Sequence, residues 1–192
     1  MGGRPKPLIE CDGVPLVRRV AGALLEAGVS EVVVVLGHRA DEVGMALEGL
    51  PLRRLVHEGF AGGRVSSLRT ALVALTEGAD AVVVALADQP LLEAHDITEL
   101  TRAFEKRGSA RALVPRVAGV RGHPVLLEWG VCREILAGDS GFGARQWMDA
   151  HPSQVAWFDC DNPRYCEDVD SSADLERIAQ HYGCVMRWPD AP

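Results

Sequence analysis

The residues of this chain best suited to chemistry are acids placed just after apolar runs. Asp88 follows the run AVVVAL in the segment Leu86-Ala87-Asp88-Gln89-Pro90. A carboxylate leaving a sheet edge can hold Mg²⁺ through one or two oxygens while phosphates and water complete the shell. An Asp close to Pro also starts turns, so a capping role is an equal reading. A second acidic box, Asp168-Val169-Asp170-Ser171-Ser172-Ala173-Asp174-Leu175, leads into a helical pattern. Ser171 or Ser172 suits its N-cap, and Asp174 suits its dipole. Capping leaves Asp168 and Asp170 unexplained. Either acid, pointing inward, would face Asp88 and complete a Mg²⁺ site.

Cationic and glycine-rich segments accompany the acids. Gly2, Gly3, Arg4 and Lys6 open the chain, a composition that suits close backbone approach to phosphate. The segment GFAGGRVSSL places Gly63 before Ser66 and Ser67 at the start of a helical pattern, another ready anion site or simply a capped loop. Arg121-Gly122-His123-Pro124 and the run from Gly138 through Asp139 to Arg145 are polar, glycine-containing loops of the kind that carry ligand contacts. A single histidine such as His123 is ordinarily structural. No G-x-G-x-x-G, Walker A run, G-x-S-x-G elbow or C-x-x-C is present.

Alternating strands and helices must hold these residues in place. Residues 14–27 have helical apolar spacing and are followed by Gly28, a natural stop. Residues 32–36 and 81–86 are wholly apolar and rich in β-branched side chains, as buried parallel strands are. Residues 52–57 read as a weaker strand, and 41–47, 66–75 and 96–107 as helices, with Ser66 or Ser67 as a cap. Further on, 112–117 and 124–127 form a hairpin, 131–136 and 143–150 short helices, 155–158 a strand and 173–181 a closing helix. This alternation predicts an α/β domain around a mostly parallel sheet, with ligands at the carboxyl ends of its strands.

Composition narrows the classes. The 192 residues suffice for one domain with a full core. Twenty Lys and Arg against 27 Asp and Glu give a net charge of −7, which excludes a broad basic footprint for nucleic acid. No apolar run reaches membrane-spanning length, and the N-terminus lacks a secretory h-region. Five irregularly spaced cysteines predict a cytoplasmic protein without structural disulfides.

In order, these segments resemble one family. M-G-G-R-P-K-P-L is similar to the later half of the signature L-A-A-G-x-S-x-R-M-G-x-x-K of the MobA-like nucleotidyltransferases. V-V-V-L-G-H, G-G-R-V-S-S-L-R-T-A-L, L-A-D-Q-P, R-G-H-P-V, G-D-S-G-F-G-A-R and D-V-D-S-S-A-D-L follow in register. D-Q-P, R-G-H-P and the D-x-D box resemble the branch typified by molybdenum cofactor cytidylyltransferase. The resemblance implies a three-layer Rossmann-like fold in one domain, with a nucleotide-binding half near residues 1–110 and an acceptor-binding half near 111–192. It implies CTP as co-substrate, with Asp88 and Asp170 holding Mg²⁺ on its phosphates. Lys6, Arg4 and the backbone at Gly2 and Gly3 would neutralise phosphate charge. Gly63, Ser66 and Ser67 would lie beside base or ribose, with Gln89 and Pro90 completing that site. Arg121, Gly122, His123, Asp139 and Arg145 would face a phosphorylated pterin-type acceptor. A molybdoenzyme or its chaperone would then be a partner.

The chain departs from the pattern at its front, where the family's first strand and glycine turn are not in the sequence. Either a strand is encoded upstream of Met1, or the fold is destabilised and its triphosphate site compromised. The alternatives are a non-catalytic nucleotide- or partner-binding relative and a same-fold transferase for another acceptor. Relatives with the same boxes include one named as an oxidoreductase.

Overall fold

The computed structural model describes residues 4–75 and 79–189, so Gly2 and Gly3 lie outside the described residues. β1 (Glu10–Cys11) and β2 (Val14–Pro15) form a tight antiparallel pair. Asp12 and Gly13 both take positive φ in the turn between them, as a two-residue hairpin requires. The helical pattern therefore begins two residues later than its apolar spacing suggests, as α1 (Leu16–Glu26), burying Leu16, Val17, Val20, Ala21 and Ala23.

β3 (Val33–Leu36), α2 (Ala40–Met45) and β4 (Arg53–Val56) follow, with β4 parallel to β3. α3 (Gly63–Ala74), β5 (Ala81–Val84) and α4 (Ala94–Glu105) complete the first half. The second half contains β6 (Ala112–Val117), β7 (Val120–Arg121), β8 (Val125–Glu128), α5 (Trp129–Ala137) and α6 (Ala144–Ala150). β9 (Val155–Cys160), α7 (Ser172–Tyr182) and β10 (Met186–Arg187) close it.

The fold is α/β, but its larger sheet is mixed rather than mostly parallel. β8 lies between β5 and β6 and runs antiparallel to both, while β9 runs parallel along the other edge of β6. Connection length explains the difference. β8 returns directly from the β6–β7 hairpin, and a short return can only be antiparallel. β9 arrives after α5 and α6, a crossover long enough for parallel pairing. The antiparallel pairing expected of 112–117 with 124–127 is present as β6 with β8, and the glycine turn between them also folds β7 back onto the end of β6.

Among the described residues the strands fall into separate sheets. Among the described residues β3 pairs only with β4, and β5 only with β8. α1 packs against both pieces: Val17 and Ala21 lie with Val34 and Leu36, and Val20 and Ala23 with Ala81 and Val83. A third small sheet joins the two ends of the chain, with β10 antiparallel to β1 and Arg187 paired to Glu10 at 2.9 Å. All five cysteines are free thiols. No described helix is long and apolar enough to cross a membrane.

Candidate active site

β5 delivers Asp88 to the carboxyl edge of the larger sheet, four residues beyond Val84. The backbone carbonyl of Asp88 accepts the N–H of Val169 at 3.0 Å. Val169 is fully buried, so this bond anchors the second acidic box beside the first. Asp88 Oδ1 is buried without a hydrogen-bond partner among the described residues. Burial pushes the Asp88 carboxyl above the usual carboxylate range and the charge of Asp168 adds to that, against the opposing pull of Arg64 and Lys6. Asp168 is likewise raised, by burial and then by Asp170, with Arg64 again opposing.

The acid whose charge acts on Asp88 is thus Asp168. Asp170 is exposed and bound to Lys6, whose Nζ lies 2.7 Å from its Oδ1. Arg4 stands apart from this pair, with its guanidinium 5.7 Å from the centre of the Trp188 ring. The N-cap expectation at α7 is met by Ser171, which exchanges hydrogen bonds with Asp174.

Gln89 is a strut. It is buried, and its Nε2 donates to the carbonyls of His123 at 3.2 Å and Tyr165 at 3.1 Å. This ties the Asp88 turn to the Arg121–Pro124 loop. Pro90 is buried, and its carbonyl accepts from Arg19 Nε at 3.0 Å. Gly122 permits a close approach there, because a Cβ would fall 2.6 Å from the Tyr165 carbonyl oxygen. His123 is half-buried within the field of Arg64, and its pKa is pushed down to about 4, chiefly by desolvation. It is neutral at physiological pH.

α3 begins at Gly63, where φ is +78°, three residues earlier than the serine caps predict. Ser66 and Ser67 therefore sit inside the first turn, and both hydroxyls donate to the Gly63 carbonyl. Neither is the N-cap, because the left-handed glycine has already turned the chain into the helix. Ser66 Oγ also lies 3.0 Å from His57 Nε2, and Thr70 Oγ1 lies 3.3 Å from His57 Nδ1.

The remaining expected residues gather around α6. Arg121 pairs with Asp149 at 2.7 Å, and the exposed Arg145 lies 3.8 Å from the same carboxyl group. The Asp139 carbonyl accepts the N–H of Phe142 at 2.8 Å and closes the turn before α6. Arg69 of α3 donates to the Ile135 and Leu136 carbonyls at the end of α5, fixing the start of this loop. A Cβ on Gly143 would meet Val65 at 2.9 Å, so the loop lies directly against the start of α3.

Sequence reasoning singled out Lys6, Asp88, Asp170 and His123. It missed Arg64, whose charge acts on Asp88, Asp168 and His123. It also missed His57. Arg64 lies in G-G-R-V at a helix start, where no spacing pattern marks it. Among the described residues no group of three His, Cys, Asp or Glu side chains could by itself hold a metal ion. Two carboxylates, one with an unsatisfied lone pair, do fit Mg²⁺, which takes few protein ligands and completes its shell with substrate phosphates and water.

Comparison with known proteins follows the same outline. The chain is 31% identical over 184 residues to nicotine blue oxidoreductase of Paenarthrobacter nicotinovorans, covering 93% of this chain and 89% of that one. It is 34% identical over 113 residues to the bifunctional protein GlmU of Sorangium cellulosum, of which it spans 24% of the length. Its fold matches a nucleotidyl transferase from Methanothermobacter with a TM-score of 0.76 at 24% identity, over 92% of this chain and 84% of that chain. A manganese complex of Rv0371C from Mycobacterium tuberculosis gives 0.72 at 24% identity, over 93% of each chain. The model of the MobA-like NTP transferase domain matches residues 1–155, and with the acidic boxes and sheet edge in these positions the chain belongs to that family.

Proposed function

We propose that the chain is a Mg²⁺-dependent nucleotidyltransferase that moves CMP from CTP onto a phosphorylated small-molecule acceptor of pterin type and releases pyrophosphate. The observation that carries this reading is Asp88: a half-buried carboxylate with one buried, orphan oxygen, beside Asp168 and within the fields of Lys6 and Arg64. Such an arrangement costs stability and is useful only when a cation and a polyanion fill it. The nucleotidyl transferase and manganese-complex neighbours support it.

Asp88 and Asp168 would hold Mg²⁺, with Asp170 joining them on release from Lys6. The bound metal ion supplies positive charge to the phosphates. Lys6 and Arg64 bind and orient the triphosphate oxygens. Gln89 ties the Arg121–Pro124 loop to the Asp88 turn, so an acceptor carried by that loop and the Gly138–Arg145 loop would approach the α-phosphorus from that side. The acceptor oxygen forms a bond to that phosphorus as the α–β bridging bond breaks and pyrophosphate leaves. Positioning and charge neutralisation suffice, and no protein nucleophile is needed. In this reading residues 1–110 bind nucleotide and 111–192 bind acceptor within one domain.

The test is pyrophosphate release from CTP with Mg²⁺ and a phosphorylated pterin. Asp88→Ala is expected to abolish it. A well-folded wild-type chain that binds no triphosphate in calorimetry would overturn the proposal. The similarity to nicotine blue oxidoreductase favours a second reading, an oxidoreductase that transfers no nucleotidyl group. Loss of nicotinamide-cofactor absorbance without pyrophosphate release would select it.

A further inference from the structure

The two ends of the chain bring together a pair of thiols that the phosphate chemistry does not use. Cys11 ends β1, and Cys184 lies in the short link from α7 to β10. In the β1–β10 pair, Glu10 stands opposite Arg187 and Cys11 opposite Met186. The Asp12 N–H donates to the Val185 carbonyl and the Val185 N–H to Asp12 Oδ1, both at 2.8 Å, which carries the pairing one residue further. Side chains alternate across an extended chain, so Met186 and Cys184 share the face that Cys11 occupies. Burial follows that alternation. Val185 and Arg187 are exposed, whereas Cys184 and Met186 pack with Cys11, Ile9 and Ile178 in one apolar cluster. Within that cluster the Cys11 and Cys184 side chains are in hydrogen-bonding contact.

The two thiols differ in access. Cys11 is fully buried, and burial raises its pKa above the ordinary thiol value, against the pull of Arg19. A thiol in that state is a poor target for an oxidant from solvent. Cys184 is only half-buried, so an oxidant meets it first. Cys11 Sγ lies 3.9 Å from Asp12 Oδ2, a carboxylate placed to take its proton.

We propose that Cys11 and Cys184 are a redox couple that hydrogen peroxide closes into a disulfide, stapling the C-terminal strand to the N-terminal one. Peroxide oxidises the Cys184 thiol to a sulfenic acid and is itself reduced to water. Cys11 Sγ then attacks Cys184 Sγ. The S–S bond forms as the S–O bond breaks, and the hydroxyl leaves with the Cys11 proton, relayed by Asp12, as a second water. The couple does not depend on the nucleotidyltransferase reading.

The experiment treats the reduced full chain with hydrogen peroxide, then maps its peptides without reduction and records its melting temperature. Wild type is expected to lose two hydrogens, to yield one peptide joining Cys11 to Cys184, and to melt about 10 °C higher, because the bond closes a loop of nearly the whole chain. Dithiothreitol is expected to reverse all three. Cys184→Ser is expected to show no joined peptide and no rise. Cys11→Ser is expected to leave a sulfenic acid at Cys184 that dimedone captures. A bond between any other pair, a Cys184 carried on to sulfinic acid with Cys11 still free, or an unchanged melting temperature overturns the proposal.

Discussion

Asp88 weakens the fold on which it sits. Its raised pKa means that the folded chain holds this proton more readily than the unfolded one, so the ionised form costs stability at neutral pH. Asp88→Asn is therefore expected to raise the melting temperature, by the equivalent of about 1 kcal/mol, and to remove any stabilisation by Mg²⁺. Thermal melts with and without the metal check both effects. His123 gives the opposite slope. Its folded pKa of about 4 lies below its ordinary 6.5. As pH falls through that window the unfolded chain takes up a proton that the folded chain refuses, and stability drops by up to roughly 3 kcal/mol. Urea midpoints between pH 7 and pH 4 should fall more steeply in wild type than in His123→Gln. Lys6, Asp88 and Asp170 were legible because each sits in a motif. Arg64 was not, because one arginine at a helix start has no pattern, and only folding brings it to the acids. The choice of Asp168 over Asp170 as the neighbour of Asp88 also needed the tertiary structure.

Among the elements, two close contacts hold the loops over the site. Gly122→Ala would force the Arg121–Pro124 loop away from Tyr165, whose carbonyl oxygen would lie 2.6 Å from the new Cβ. A loss of about 1–3 kcal/mol is expected, measurable by denaturant unfolding, with weaker acceptor binding. Arg69→Ala would leave the last carbonyls of α5 without their donor. It is expected to cost about 1–3 kcal/mol and to speed amide exchange across residues 138–143. The long apolar strands and amphipathic helices were legible from periodicity, because burial on one or both faces leaves that record. β1, β2 and β10 have two residues each, too few to show a period. The antiparallel course of β8 follows from where its partner strands lie, which no local pattern records. The start of α3 at Gly63 was hidden because the serines matched a cap signature that the left-handed glycine made redundant.

For the molecule as a whole, the α/β class was legible from the order of its elements, while the division of its sheet became visible only in strand pairing. β3 and β5 each carry an edge without a partner strand among the described residues, and α1 bridges the two sheets. Alternate amides of β3 and β5, those on the unpaired edges, should exchange far faster than the amides of β6, which has partners on both sides. Slow exchange along both edges would contradict the division. Lys6 and Asp170 come from segments 164 residues apart and neutralise one another. In the proposed reaction a metal ion arriving alone must draw Asp170 off Lys6, and a triphosphate arriving alone must draw Lys6 off Asp170. Arriving together, they replace the pair on both sides. On that reading the exposed ion pair would make the two ligands heterotropic effectors of each other, each raising the other's affinity by the same modest factor.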